Sequence, residues 1–187
     1  TIQRQKGPWL RDAILAFGRG EADVALKAFA ERGYVRHRKS RAETISALVD
    51  RWQETTVVSP TKSVLMIAAT NADVRAISLA ARQRLRSRGV IHGDDVILSA
   101  VSPSGHDVML PLARGDRIRF LRRAELDGQE VINGTEATVL AITSDGDHDH
   151  RIVARAGDRM LSFKPAEIAD EKGRVRIAHA YASTIHG

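Results

Sequence analysis

The 187-residue chain has 43% hydrophobic and 28% charged residues and a formal net charge of +6. This composition is typical of a globular domain, and no apolar run reaches the ~18 residues that a membrane-spanning helix needs. The chain has no cysteine, which excludes disulfides and thiolate metal sites and fits a cytoplasmic protein with no membrane partner most easily.

The charge is unevenly distributed. Residues 1–91 contain 17 Lys and Arg against 8 Asp and Glu, whereas residues 92–187 contain 12 against 15. A strongly basic half indicates a polyanionic partner, with nucleic acid as the first candidate. A solvated basic surface without a ligand would give the same composition, so charge alone leaves both interpretations open.

The first third of the chain predicts three helices. Apolar residues recur at helical spacing from Pro8 to a stop at Gly18 and Gly20. The same spacing recurs from about Glu21 to Arg32 and from Arg41 to Gln53. The basic run "RHRKSR" at 36–41 lies between the second and third helices, where it is either a charged loop or a phosphate contact.

Three aromatic residues of this region could stack on nucleic-acid bases: Trp9, Tyr34 and Trp52. Trp9 and Trp52, however, fall at apolar positions of the helical pattern, which favours a place in the core.

The pattern changes at 63–70, "SVLMIAAT", a continuous apolar run that predicts a buried strand. A helix follows and ends at Gly89, with Asn71 expected as its N-cap. In open α/β sheets, ligands bind at the carboxyl ends of strands, and a helix N-terminus there offers N–H groups to a phosphate. This makes Thr70, Asn71 and Arg75 candidate ligand contacts. The arginines of this helix at 82, 84, 86 and 88 alternate, so they are expected on a solvated surface.

Residues 90–113 predict short strands split by the turn "SPSG". Residues 114–168 alternate between apolar and polar residues in short strands with Asn-Gly and Asp-Gly turns, which favours a small antiparallel barrel of SH3-like size. Residues 174–185 predict one further strand, which could rejoin the sheet begun at Val64.

The run "DGDHDH" at 145–150 contains potential metal ligands. Adjacent residues of a hairpin point to opposite faces, and no distant ligand completes a site, so a polar hairpin tip and no metal are expected.

Four local patterns in order resemble the second motor domain of RecD-like superfamily 1 DNA helicases. "TIQRQ" resembles the fourth conserved motif, "LMIAATNADVRAISLAARQRL" the strand and helix that follow it, "LARGDRIRFLRR" with "INGTEATV" the SH3-like insert, and "AYASTIH" the fifth motif. The resemblance extends over nearly the whole chain and is strongest to the helicase half of TraA-type conjugative relaxase–helicases.

The resemblance implies an α/β fold: a partial RecA-like domain of the P-loop NTPase type with an inserted SH3-like antiparallel β-barrel. Residues 1–113 would form the first part of the RecA-like domain, 114–168 the barrel, and 169–187 the return strand that ends in the fifth motif. The Gly-x-x-x-x-Gly-Lys-Ser/Thr phosphate loop is absent. The chain is therefore expected to be part of a longer motor and to be inactive as an ATP hydrolase alone.

The resemblance also implies residue roles. Arg4 would be the arginine finger that stabilises charge on the transferred phosphoryl group, with Gln5 orienting its loop. Residues Thr70, Asn71, Arg75, Thr184 and His186 would contact single-stranded DNA. Gly187 stands where the family commonly has a lysine.

The implied function is that of a motor-domain part of an ATP-dependent DNA helicase fused to a relaxase for plasmid transfer. ATP and Mg²⁺ would bind the parent protein and not this chain alone. Its partners would be single-stranded DNA and the upstream RecA-like and relaxase domains. The alternative is a standalone DNA-binding or protein-docking module without a motor role.

Overall fold

The computed structural model describes residues 7–58, 64–144 and 150–185 as a mixed α/β chain in two compact units. One unit ends at Thr44 and the other begins at Ile45. The domain boundaries predicted after residues 113 and 168 concern a finer division and stay predictions.

The smaller unit contains two helices, α1 at Pro8–Gly18 and α2 at Ala22–Glu31. Pro8 occupies the first turn of α1, where its missing N–H costs nothing, and the chain turns at Gly20 in the left-handed conformation. Trp9 and Phe29 pack edge to face, with ring centroids 5.5 Å apart. Both helices were predicted.

The division between the units falls in the first turn of α3, which spans Arg41–Val58. In the larger unit, strand β1 (Met66–Ala68) is followed by helix α4 (Asn71–Ser87). The predicted cap is off by one residue, because Thr70 and not Asn71 is the N-cap: its Oγ1 accepts a hydrogen bond from the Asp73 backbone N–H at 3.1 Å. Asn71 is the first residue of the helix.

The rest of the larger unit is mainly antiparallel. Its strands are β2 (His92–Val101), β3 (Asp107–Arg114), β4 (Arg117–Phe120), β5 (Ala124–Leu126), β6 (Gln129–Val131), β7 (Glu136–Ser144), β8 (His150–Ala156), β9 (Arg159–Phe163), β10 (Ile177–His179) and β11 (Ala182–Thr184). A 3₁₀ turn at Pro165–Ile168 follows β9.

Hydrogen bonding groups these strands into separate sheets. The largest has the order β10-β4-β7-β8-β9, while β2 pairs with β3, β5 with β6, and β1 with β11. The SH3-like barrel is not confirmed, because the described strands form no closed ring of hydrogen-bonded neighbours.

The strand predicted over 174–185 is in fact two strands in two sheets. β10 pairs antiparallel with β4, whereas β11 pairs parallel with β1, with Met66 opposite Ala182 and Ala68 opposite Thr184. The buried pair Ala180 and Tyr181 connects them. A single uninterrupted strand could not serve both partners.

The larger unit has two apolar cores. One fills the antiparallel part and includes Phe120, Phe163 and Leu161. The other packs α3 and α4 against β1 and β11 and includes Trp52 and Tyr181. Trp52 is buried as predicted, and its indole Nε1 donates to the Val64 carbonyl oxygen at 3.1 Å. No helix in the described ranges has both the length and the apolar character needed to cross a bilayer.

Candidate functional site

A cleft of about 1200 Å³ opens in the larger unit. Its lining comes from β1, the first half of α4 and β11, and from the β2–β3 hairpin, β4 and β10. The cleft therefore brings residues of the parallel strand pair together with residues of the antiparallel part. Its ionisable lining residues are Arg75, His106, Arg119, Glu136, Arg176 and His179.

The carboxyl edge of the parallel pair opens into this cleft. Thr184, the last residue of β11, lies opposite Ala68, the last residue of β1. The chain then turns at Thr70 into α4, whose positive N-terminal dipole end lies at the same edge. Carboxyl edges of parallel strands are where α/β folds commonly bind ligands.

The structure brings three of the predicted contact residues together here. Asn71, Arg75 and Thr184 all line the cleft. Thr70 does not line it, and its hydroxyl caps α4. Arg4, Gln5 and His186 lie outside the described residues, as does Gly187.

Arg75 is the most available cation of the cleft. Its side chain is exposed on the second turn of α4 and has no hydrogen bond or ion pair with any residue in the described ranges. An exposed guanidinium of this kind is free to make bidentate hydrogen bonds to phosphate or carboxylate oxygens.

Two further arginines of the cleft were not predicted. Arg119, from β4, donates to the Ser183 hydroxyl at 3.1 Å and to the Glu136 carboxylate at 2.8 Å. Arg176 is partly exposed beside β10 and lies 3.8 Å from Asp170. Both come from the antiparallel part, distant in sequence from α4, so no local pattern could have joined them to Arg75.

The cleft is net positive. Three arginines face one glutamate in its lining. His179 adds no charge near neutral pH, because burial lowers its pKa, and its Nε2–H donates to the Pro111 carbonyl oxygen at 2.8 Å. Exposed apolar side chains lie among the cations: Ile67 is 59% exposed, Met109 66% and Ile185 71%. Cations interspersed with open apolar surface suit a ligand that has both anionic and apolar parts.

A buried ionic network lies behind the cleft and corrects the prediction for Arg82. Only 6% of its side chain is exposed, and its Nε and Nη2 donate to the fully buried Asp116 carboxylate at 2.7 and 2.8 Å. Its Nη2 also donates to Asp95 at 2.6 Å. Burial opposes the charge of Arg82, but the hydrogen bonds to both carboxylates outweigh it and raise the arginine pKa. The side chain is a structural anchor and not part of a solvated surface.

The same network holds the chain just before β11. The Tyr181 hydroxyl donates to Asp116 at 3.0 Å and accepts from the Arg117 backbone N–H at 3.0 Å. Burial, followed by the nearby Asp116 charge, raises the tyrosine pKa, so the hydroxyl stays protonated at all physiological pH values. The hydrogen bonds of Tyr181 thus fix the position of the cleft edge that carries Thr184.

The arrangement fits binding and positioning. Hydroxyl, amide and guanidinium groups can hold phosphate oxygens, and the exposed apolar residues can pack against sugars or bases. Within the described ranges, no three acidic or histidine side chains are grouped so that they could hold a metal ion. The run 145–149, most of the predicted polar hairpin tip, lies outside those ranges.

Comparison with known proteins adds an independent observation. The chain is 30% identical over 186 residues to the conjugal transfer protein TraA of Agrobacterium fabrum. It is 28% identical over 186 residues to the conjugal transfer protein TraA of Rhizobium radiobacter. Each match takes in 100% of this chain and 15% of the relative, so the chain spans about 15% of the length of the curated relatives that it matches. No family model matches the sequence.

Among solved structures, the chain is similar to one from a study of DNA unwinding at forked double-stranded DNA by two coordinating Pif1 helicases. That match has a TM-score of 0.48 and 19% identity, over 100% of this chain and 39% of the other.

Proposed function

We propose that this chain is part of the second motor domain of a RecD-like helicase in a conjugative relaxase–helicase, and that its cleft binds the backbone of single-stranded DNA. The observation that carries the proposal is the similarity to conjugal transfer proteins over 186 residues, which include the whole cleft. The parent would move along one DNA strand while hydrolysing ATP.

The cleft supports this proposal through its chemistry. Arg75 is exposed and has no partner among the described residues, Thr184 ends a parallel strand, and Asn71 is the first residue of the adjacent helix. These groups suit phosphate contacts that hold a strand without reading its sequence. The exposed Ile67 and Ile185 would pack against the sugars and bases of a single strand, whose apolar parts are open where those of a duplex are stacked.

The ATP-dependent part of the proposal concerns the parent protein. The sequence has no phosphate loop, so in this proposal the nucleotide and its Mg²⁺ are held by another part of the parent protein. Arg4 would act as an arginine finger toward a nucleotide held by another domain, and Gln5 would orient it. In the parent protein, we expect Arg4→Ala to lower ATP hydrolysis by roughly 10³-fold or more while DNA binding persists.

The test of the cleft is fluorescence anisotropy of a labelled single-stranded oligonucleotide, with a duplex for comparison, over a series of salt concentrations. We expect the single strand to bind more tightly and its affinity to fall steeply with salt. Arg75→Ala should weaken binding and reduce the slope of log K against log salt by about 0.7, the value for one phosphate contact on a single strand.

Arg88→Ala is the matched control. Arg88 ends the same helix, is exposed, and does not line the cleft, so its loss removes the same charge elsewhere. If the two substitutions weaken DNA binding equally, the binding is general electrostatic attraction to the chain and not binding in the cleft, which would contradict the proposal. No binding of either DNA at low salt would favour the alternative of a protein-docking module.

A further inference from the structure

The smaller unit exposes an aromatic ring beside a run of cations, in the segment that follows α2. Tyr34 is 68% exposed, although its ring stacks on Trp9 with centroids 5.6 Å apart and planes at 25°. Phe29 meets the same ring edge to face at 6.1 Å. The tyrosine is therefore held in place by two aromatic neighbours and still presents ring surface to solvent.

The sequence around Tyr34 is rich in cations and contains no acidic residue. No Asp or Glu occurs between Glu31 and Glu43, while the interval contains Arg32, Arg36, Arg38, Lys39 and Arg41. The Arg32 guanidinium lies over the Trp9 ring, 4.6 Å from its centroid, in a cation–π contact.

Two of the cations that follow Tyr34 in sequence are available to a ligand. Arg36 and Lys39 are exposed, and neither side chain has a hydrogen bond or ion pair with any residue in the described ranges. The Glu43 carboxylate accepts from the Lys39 backbone N–H at 3.3 Å and not from the Lys39 ammonium, which is thus available. Arg38 donates to the neighbouring His37 carbonyl oxygen and retains its other donors.

We propose that Tyr34, together with Arg36 and Lys39, forms a binding site for single-stranded nucleic acid on the smaller unit. A base would stack on the open surface of Tyr34, and adjacent phosphates would pair with the two cations. An exposed aromatic ring flanked by unpaired cations is the combination with which proteins hold single strands without sequence preference. The site goes beyond the cleft of the larger unit and does not depend on it.

The stacking component is tested by pairing protein variants with modified oligonucleotides. Against a single-stranded oligothymidylate, Tyr34→Ala should weaken binding by about 5- to 150-fold, the range for the loss of one base–aromatic stack. Tyr34→Phe keeps the ring and should bind as the unmodified chain does. Against an abasic strand of equal length, Tyr34→Ala should cause no loss. If Tyr34→Ala weakens both strands equally, or neither strand, the stacking site is excluded.

The electrostatic component has a matched control in the same unit. The double variant Arg36→Gln/Lys39→Gln should reduce the slope of log K against log salt by about 1.4, corresponding to two phosphate contacts. Arg11→Gln/Lys27→Gln removes two exposed cations from α1 and α2 and should change the slope much less. Equal slopes in the two double variants would overturn the proposal.

Photocrosslinking locates the site even if a variant fails to fold. A 4-thiothymidine oligonucleotide irradiated with the unmodified chain should crosslink within residues 32–39, and the absence of crosslinks there would overturn the proposal. A ribose version of the oligonucleotide tests whether the site separates DNA from RNA, and stacking predicts similar yields. Performed on Arg75→Ala, the same experiment separates the two sites, because crosslinks at 32–39 should persist whether or not the cleft binds DNA.

Discussion

Removing the Asp116 carboxylate should be among the most destabilising single changes in the larger unit. Asp116 is fully buried and accepts four hydrogen bonds: two from Arg82, one from the Tyr181 hydroxyl and one from the Ala113 backbone N–H. Asp116→Ala would leave the guanidinium of Arg82 buried with Asp95 as its remaining carboxylate partner. Breaking a buried ion pair in this way costs about 3–5 kcal/mol, and the retained Asp95 contact places the expected loss near the lower end, about 3 kcal/mol.

The assay is urea unfolding followed by tryptophan fluorescence. Trp52 reports on the correct region, because its ring meets Tyr181 at 6.0 Å and 80°. Trp9 lies in the other unit, so the experiment is best done in a Trp9→Phe background. Unchanged m-values would show that the variant and the Trp9→Phe chain expose the same amount of surface on unfolding.

An exposed ion pair provides the control. Asp50 pairs with Arg84 at side-chain exposures of 43% and 41%, so Asp50→Ala should cost less than about 1 kcal/mol. If Asp116→Ala costs no more than Asp50→Ala, the network does not stabilise the unit and the reasoning is wrong. Replacing both partners, as Arg82→Met/Asp116→Leu, should be milder than Asp116→Ala alone, because no unpaired charge stays buried.

Three further predictions concern other sites. Thr70→Ala removes the N-cap of α4 and should lower the free energy of unfolding by about 1 kcal/mol, whereas Thr70→Ser should restore it, as urea melts would show. Gly115→Ala should prevent stable folding, measured by circular dichroism, because Gly115 has φ +94° and an added Cβ would overlap the Val90 carbonyl oxygen. The hydrogen bonds from Arg174 lower the pKa of Asp170 to about 2. Its stabilisation is therefore complete above pH ~4 and lost as the pH falls through about 2, so Asp170→Asn should flatten the dependence of unfolding free energy on pH across that interval.

Local sequence patterns predicted most elements, because those elements depend on local physics. Helices α1, α2 and α4 follow from apolar spacing and terminal glycines, and β1 from a continuous apolar run. The cap of α4 was misassigned by one residue, since Thr70 and Asn71 are adjacent and both suit an N-cap.

Contacts between residues far apart in the chain could not be predicted from local sequence patterns. Arg82 is buried because it pairs with Asp116 and Asp95. These partners lie 34 and 13 residues away in the chain, and neither spacing leaves a periodic signal in the sequence. The candidate site shows the same limit. Arg75 was found because it follows a strand's carboxyl end, whereas Arg119 was missed because its place in the cleft depends on the pairing of β4 with β10.

The short connection between β10 and β11 explains how the cleft holds its form. Within three residues the chain leaves the antiparallel sheet, passes through the buried Tyr181 and enters the parallel pair. The Tyr181 hydroxyl is hydrogen-bonded at the start of β4, and Arg119 of the same strand is bonded to Ser183 of β11. Two hydrogen bonds to β4, one from the connection and one from β11, therefore fix Thr184 relative to the cations of the antiparallel part. Because a phosphate site requires its donors at set distances before the ligand arrives, this double attachment would allow residues far apart in sequence to contact one DNA strand in the proposed complex.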